Sequence, residues 1–124
     1  MRGTALGSMS PEVLALVAER FRALGEPARL RLLACLREGE KPVNELVEAT
    51  GLGQANVSKH LQLLHTVGFV ARRKEGLRVL YALADESVFA VCDIACGGIR
   101  AHTGSRLQAL RGSRTRVGRG DGRN

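Results

Sequence analysis

Residues 43–67 read VNELVEAT, then GLG, then QANVSKHLQLLHTV, and the reading of this stretch decides the fold. Val43–Thr50 is long enough for one short helix, and Gly51-Leu52-Gly53 supplies the turn that stops it. Gln54–Val67 then carries Val57, Leu61, Leu64 and Val67 at helical spacing, an inward stripe with polar residues around it. After Gly68 the chain continues FVARRKEGLRVLYAL, two extended segments folded about Glu75-Gly76. The second arm alternates, with Val79, Tyr81 and Leu83 on one side and Arg78, Leu80 and Ala82 on the other. Two helices around a glycine turn, followed by a basic hairpin, make a helix-turn-helix with a wing. Such a unit places its second helix in the major groove and a basic loop beside the backbone.

Working outward, Ser10-Pro11 is a cap residue followed by proline at the first helical position. A helix over Pro11–Leu24 aligns Leu14, Val17, Ala18, Phe21 and Leu24. Pro27 opens a second helix expected to run to Glu38, and Gly39 closes it. On the far side of the hairpin, Asp85 is placed to cap a fifth helix from near Glu86. Its stripe is Val88, Val91, Cys92, Ala95, Cys96 and Ile99, weakened at Gly97-Gly98. Residues 1–9 read as a flexible start, 10–111 as one folded domain, and 112–124 as a disordered basic tail with nothing to bury. The expected class is mostly α with a β-hairpin wing.

Charge sharpens the picture. The 124 residues carry a formal net charge of +7, but residues 1–99 contribute only +1 of it, and seven arginines against one aspartate supply the rest after position 99. Within the domain, Glu38, Glu40, Glu45 and Glu48 surround Lys41. Lys59, Arg72, Arg73, Lys74 and Arg78 have only Glu75 among them. A positive helix and hairpin are the electrostatic footprint of duplex binding. With no Trp and four other aromatics in all, the core must be built from Leu, Val and Ala. No apolar stretch spans a bilayer and no secretory-type leader opens the chain, and three cysteines without disulfide spacing point to a reducing, cytoplasmic setting.

Around the start of the second helix of the unit, Gln54, Ala55, Asn56, Ser58, Lys59 and, in part, His60 and Gln62 lie outside the apolar stripe. Gln and Asn match the adenine edge, Lys reaches guanine, and Ser or Lys binds phosphate. Arg72, Arg73, Lys74 and Arg78 supply backbone contacts from the wing. A plain solvated surface is the alternative for each.

The segment GEKPVNELVEATGLGQANVSKHLQLLHTVGFVARRKEGLRVLYALAD, with the upstream FRALGEPARLRLLACLREGE, resembles the ArsR/SmtB family of winged-helix repressors over residues 12–96. The resemblance implies a dimeric, cytoplasmic transcription repressor released from operator DNA by an inducer, often a metal or metalloid. Carried over, the DNA contacts fall on Gln54, Asn56, Ser58, Lys59 and His60, with Arg72, Arg73 and Arg78 on the wing. The first and fifth helices become a homodimer seam through Leu14, Val17, Phe21, Val88, Val91, Cys92, Ala95 and Ile99. A two-fold dimer would read an imperfect inverted repeat in double-stranded DNA.

The family's familiar sensing sites are missing. Where an arsenic-type site has Cys-x-Cys, this chain has Pro42-Val43-Asn44. At the zinc-type positions Asp85 is followed by Ser87, Gly98 and Ala101, too few donors for a metal preferring nitrogen or sulfur. Cys35, Cys92 and Cys96 remain, with Cys92 and Cys96 one helical turn apart. They allow three readings: thiolates for a soft metal or metalloid, thiols answering an oxidant or persulfide, or small core hydrophobes. No acid, base and nucleophile are spaced as an enzyme needs. A winged helix serving only protein contacts is the competing function.

Overall fold

The computed structural model describes residues 5–113, and side-chain surroundings for residues 7–102. After a 3-10 turn at Ala5–Ser8, helix α1 spans Pro11–Ala23. The Ser10 hydroxyl accepts from the Val13 N–H at 3.2 Å, the N-cap bond expected of Ser before Pro. Helix α2 spans Pro27–Leu36, two residues shorter than the sequence suggests. Its end tightens into i to i+3 bonds, Glu38 N to Cys35 O and Gly39 N to Leu36 O. Gly39 then takes φ +138°, which a side chain would resist.

A two-residue strand β1, Lys41–Pro42, leads directly into α3, Val43–Thr50. Gly51 adopts the left-handed conformation at φ 73° and donates its N–H to Val47 O, ending the helix. Thr50 reinforces that end: its hydroxyl donates to Leu46 O at 2.7 Å and accepts from Leu52 N–H. Helix α4, Gln54–Thr66, follows after the three-residue turn.

Strands β2, Val70–Glu75, and β3, Arg78–Leu83, form the hairpin, with the loop at Gly76-Leu77, one residue later than expected. Gly76 has φ 63°, the positive value a two-residue hairpin loop asks of its first position. The sheet order is β1-β3-β2, so β3 is central and pairs Lys41 with Tyr81 and Pro42 with Leu80. Leu80 and Tyr81, on opposite faces, are both buried, and α2 and α3 pack against β3.

Leucines and valines make the core, as the composition requires. Leu32, Leu33 and Leu36 of α2 are buried, as are Leu46 of α3 and Val57, Leu61 and Leu64 of α4; Phe69, Val70, Leu80 and Tyr81 of the hairpin join them. Helix α2 touches both α3 and α4, fixing the angle at which α4 is presented. Each buried leucine contributes roughly 1.5–3 kcal/mol.

Among the described residues, those from Ser87 onward form a second unit, distinct from the one that ends at Glu86. Its helix α5 spans Ser87–Ser113 and runs unbroken through Gly97-Gly98. The glycine pair lowers helix propensity by about 1 kcal/mol per residue without ending the helix. Gly112 and Ser113, read from the sequence as the start of the disordered tail, instead close α5, and the rest of that tail, 114–124, lies outside the described residues. Among the described residues no helix is long and apolar enough to cross a membrane.

Candidate nucleic-acid interface

Helix α4 presents Gln54, Ala55, Asn56 and Lys59 to solvent, with Ser58 and His60 half-buried. Gln54, Ser58 and Gln62, successive at four-residue steps, share one side of the helix. That side lines a groove of about 480 Å³ whose other wall is Arg72, Leu77, Arg78, Val79 and Tyr81 of the wing, with Pro42, Val43 and Asn44 at its end. Polar readers from α4 and cations from the hairpin therefore meet across one cleft. Asn44 and Leu77 join it without having been assigned a role from sequence alone, alongside Gln62, which the sequence places in part outside the apolar stripe. Leu77 is wholly exposed at the loop tip (102 %).

The predicted contacts divide between settings. Lys59 lines a second hollow of about 470 Å³ with Glu19, Arg22 and Arg29 from α1 and α2. His60 is drawn back from solvent: its Nδ1 lies 3.2 Å from Arg29 Nη1. Since guanidinium can only donate, Nδ1 accepts, leaving Nε2 to carry the proton of the neutral ring. Arg29 also donates to Ala23 O at 2.7 Å and Arg22 O at 3.2 Å, so one side chain caps α1 and braces α4. Asn56 stays exposed and lines neither hollow.

The wing is divided too. By register, Val70, Arg72 and Lys74 share a face with Leu83, Tyr81 and Val79, whereas Arg73 and Glu75 share the other with Leu80 and Arg78. Arg72 faces the α4 cleft. Arg73 instead donates from Nε and Nη2 to the two carboxylate oxygens of Glu40, each at 2.8 Å. Those hydrogen bonds hold the Glu40 carboxyl below its ordinary value, and Glu40 raises the guanidinium in return. Glu75 lies 3.8 Å from Arg73 and 3.7 Å from Arg78.

The end of α4 is anchored by Arg20 of α1. Its Nη1 donates to Val67 O at 2.7 Å, Nη2 donates to Asp85 at 2.8 Å, and its guanidinium lies 4.4 Å from the Phe69 ring centroid. Asp85 thus serves the α1–α4 junction, and α5 begins at Ser87. Sequence gave no sign of this anchor or of the Arg29 brace, because each links residues dozens of positions apart.

On α1, Leu14 and Phe21 are exposed (40 % and 60 %) and Val17 is half-buried; Leu16, outside the expected stripe, is also exposed. On α5, Val91, Ala95 and Ile99 are exposed, Cys92 is half-buried, and Val88 is already buried within the chain. Ile94, also outside the stripe, is 76 % exposed.

The thiols of Cys35, half-buried on α2, Cys92 and Cys96 are free. Among the described residues no three His, Cys, Asp or Glu side chains gather into a group that could hold a metal ion.

The description "Bacterial regulatory protein, arsR family" matches residues 26–72. The transcriptional repressor SmtB of Mycobacterium tuberculosis is 42% identical over 74 residues, covering 60% of this chain and 55% of that protein. The chain thus spans about half the length of that relative. The regulator NmtR of Mycobacterium tuberculosis is 37% identical over 87 residues, covering 70% of this chain and 72% of NmtR. The solution structure of the homodimeric winged helix-turn-helix DNA-binding domain Mb0332 from Mycobacterium bovis, described as a possible ArsR-family transcriptional regulator, superposes with a TM-score of 0.65 at 30% identity. It covers 82% of this chain and 96% of that one. With the family signature on α2, the glycine turn and α4, and NmtR matched over most of its length, this chain belongs to the ArsR family of bacterial regulatory proteins.

Proposed function

We propose that this protein is a sequence-specific, homodimeric DNA-binding repressor of the cytoplasm, released from its operator by a small inducer. The observation that carries the reading is the cleft in which Gln54 and Ser58 of α4 face Arg72 and Arg78 of the wing. The helix side chains have base-edge chemistry, and the wing has phosphate chemistry. Lys59, at the outer edge of α4, and Lys74 extend the positive surface, while Asn56 reads bases from the exposed side of the same helix. His60 orients α4 through Arg29. The exposed apolar residues of α1 and those of α5 are suited to a second copy of the chain, and a two-fold pair would read an inverted repeat.

The inducer acts through thiols in this reading. Cys92 and Cys96 lie four residues apart on α5, one half-buried and one exposed, so a thiophilic species reaches them without unfolding the helix. The test begins with selection of a preferred duplex from a randomised pool, followed by affinity at several salt concentrations. A DNA regulator retains a large preference for one sequence and loses affinity steeply as salt rises; a protein-contact module shows neither. Titration of the complex with arsenite, zinc, cadmium and a persulfide donor then compares wild type with a triple Cys→Ser variant. Release of the wild type alone assigns sensing to the cysteines, and indifference to all four removes it.

A further inference from the structure

We infer that Arg73 is a positioning residue of the wing, clamped by Glu40, and that the phosphate contacts of the hairpin belong to Arg72, Lys74 and Arg78. The inference rests on the DNA-binding reading above and alters which residues serve it.

Three observations carry it. The first is geometry: both guanidinium nitrogens facing Glu40 lie 2.8 Å from separate carboxylate oxygens, the fork-on-fork arrangement that orients an arginine most firmly. The second is placement: Arg72 lines the cleft against Gln54 and Ser58, and Arg73 is not among the residues that line it. The third is local charge. Arg73 has Glu40 and Glu75 within ion-pair distance, so a phosphate approaching it meets two carboxylates first.

The link also has a mechanical logic. Glu40 immediately precedes β1, which pairs with β3, and β2 lies on the far side of β3. The clamp therefore spans from the segment entering β1 to the outer strand, crossing the central one. It holds the outer strand of a hairpin whose loop is otherwise exposed, and with it the height of Arg72 above α4.

The test uses the duplex selected by the wild type and four variants: Glu40→Gln, Arg73→Gln, Arg72→Gln and the exchanged pair Glu40→Arg with Arg73→Glu. A clamp predicts that Glu40→Gln and Arg73→Gln each weaken binding about three- to fivefold, the scale of a well-formed exposed ion pair. Neither should alter the salt dependence. Arg72→Gln, which removes one charge from each copy of the pair, should instead lower the slope of log affinity against log salt by about two. The exchanged pair should recover most of the loss. Amide hydrogen exchange in β2, with fluorescence of Tyr81 (the sole tyrosine in a chain without Trp), reads the wing without DNA. Glu40→Gln and Arg73→Gln should loosen β2, and Arg72→Gln should not.

Tighter binding by Glu40→Gln would overturn the inference, because it would mean that Glu40 competes with phosphate for Arg73. So would a salt slope reduced by about two in Arg73→Gln, or unchanged β2 exchange in both clamp variants. If the wild type selects no duplex, the DNA-binding reading fails. The exchange measurement still decides whether the clamp holds the wing.

Discussion

Replacing Arg20 with methionine tests whether α4 is held in place by a single side chain from α1. Methionine keeps the apolar stem and removes the guanidinium, so packing loss is small. Three interactions disappear. The hydrogen bond from a charged donor to Val67 O, at 2.7 Å and part-buried, contributes about 1–1.5 kcal/mol. The ion pair with Asp85, with side chains 42% and 31% exposed, contributes roughly 0.5 kcal/mol after solvent screening. The contact with the Phe69 ring at 4.4 Å adds roughly 0.5 kcal/mol at a part-exposed site. The sum is about 2 kcal/mol. Urea denaturation at fixed protein concentration should show that loss as a shift in midpoint at unchanged slope, and melting should fall by roughly 8–16 °C for a domain of this size. Because Val67 closes α4, the same variant should bind operator more weakly at every salt concentration. A loss below about 0.5 kcal/mol, with native operator affinity, would refute the claim that Arg20 anchors the recognition helix.

Gln54→Ala and Asn56→Ala should each relax preference at particular base pairs by roughly 1–3 kcal/mol, measured as the operator-to-random affinity ratio; equal losses on both duplexes would remove them from base reading. Gly51→Ala should lower stability by about 1 kcal/mol in chemical denaturation, because the φ of 73° is strained for any side chain although nothing lies within 4 Å of a Cβ there. Glu40 should give the wing an acid-resistant component. Its carboxyl is depressed below 4.5 by the Arg73 hydrogen bonds, so the stabilisation is present above that value and is lost only as pH falls through the lower folded one. Protection of β2 amides against hydrogen exchange should accordingly step down in acid for wild type and lack that step in Glu40→Gln.

The helix-turn-helix was legible because its determinants are local. Gly51 marks a left-handed stop, and Val57, Leu61 and Leu64 repeat at helical spacing, so both elements were placed to within a residue. β1 was not legible: two residues are too few for alternation, and its partner β3 lies about forty positions away. Its presence changes the wing, since it makes β3 the central strand of three rather than an edge. Gly97-Gly98 weakens α5 without ending it, because propensity weighs each residue against a helix that the remaining turns still favour. At the candidate site, residue type marked which side chains could meet DNA. It could not show that His60 is engaged by Arg29 or Arg73 by Glu40, since those partners are set by packing between elements.

That pairing changes how the charge of the domain should be counted. The sequence separates an acidic run, Glu38 to Glu48, from a basic helix and hairpin, but folding brings the start of the acidic run onto the wing. Arg73 is neutralised by Glu40, leaving Lys59, Arg72, Lys74 and the loosely paired Arg78 as four phosphate-capable charges per chain. A two-fold pair using all four would release roughly eight counterions, giving a salt slope of about −7; counting Arg73 as well steepens it to about −9. The arginines beyond Ser113 add to either value, so the measurement should be made on the full chain and on one ending at Ser113. A slope near −7 for the shorter chain fits a wing in which one arginine serves structure. A slope near −9 that falls by two when Arg73 is replaced in both copies would return that arginine to the DNA, and Glu40 would then be its competitor.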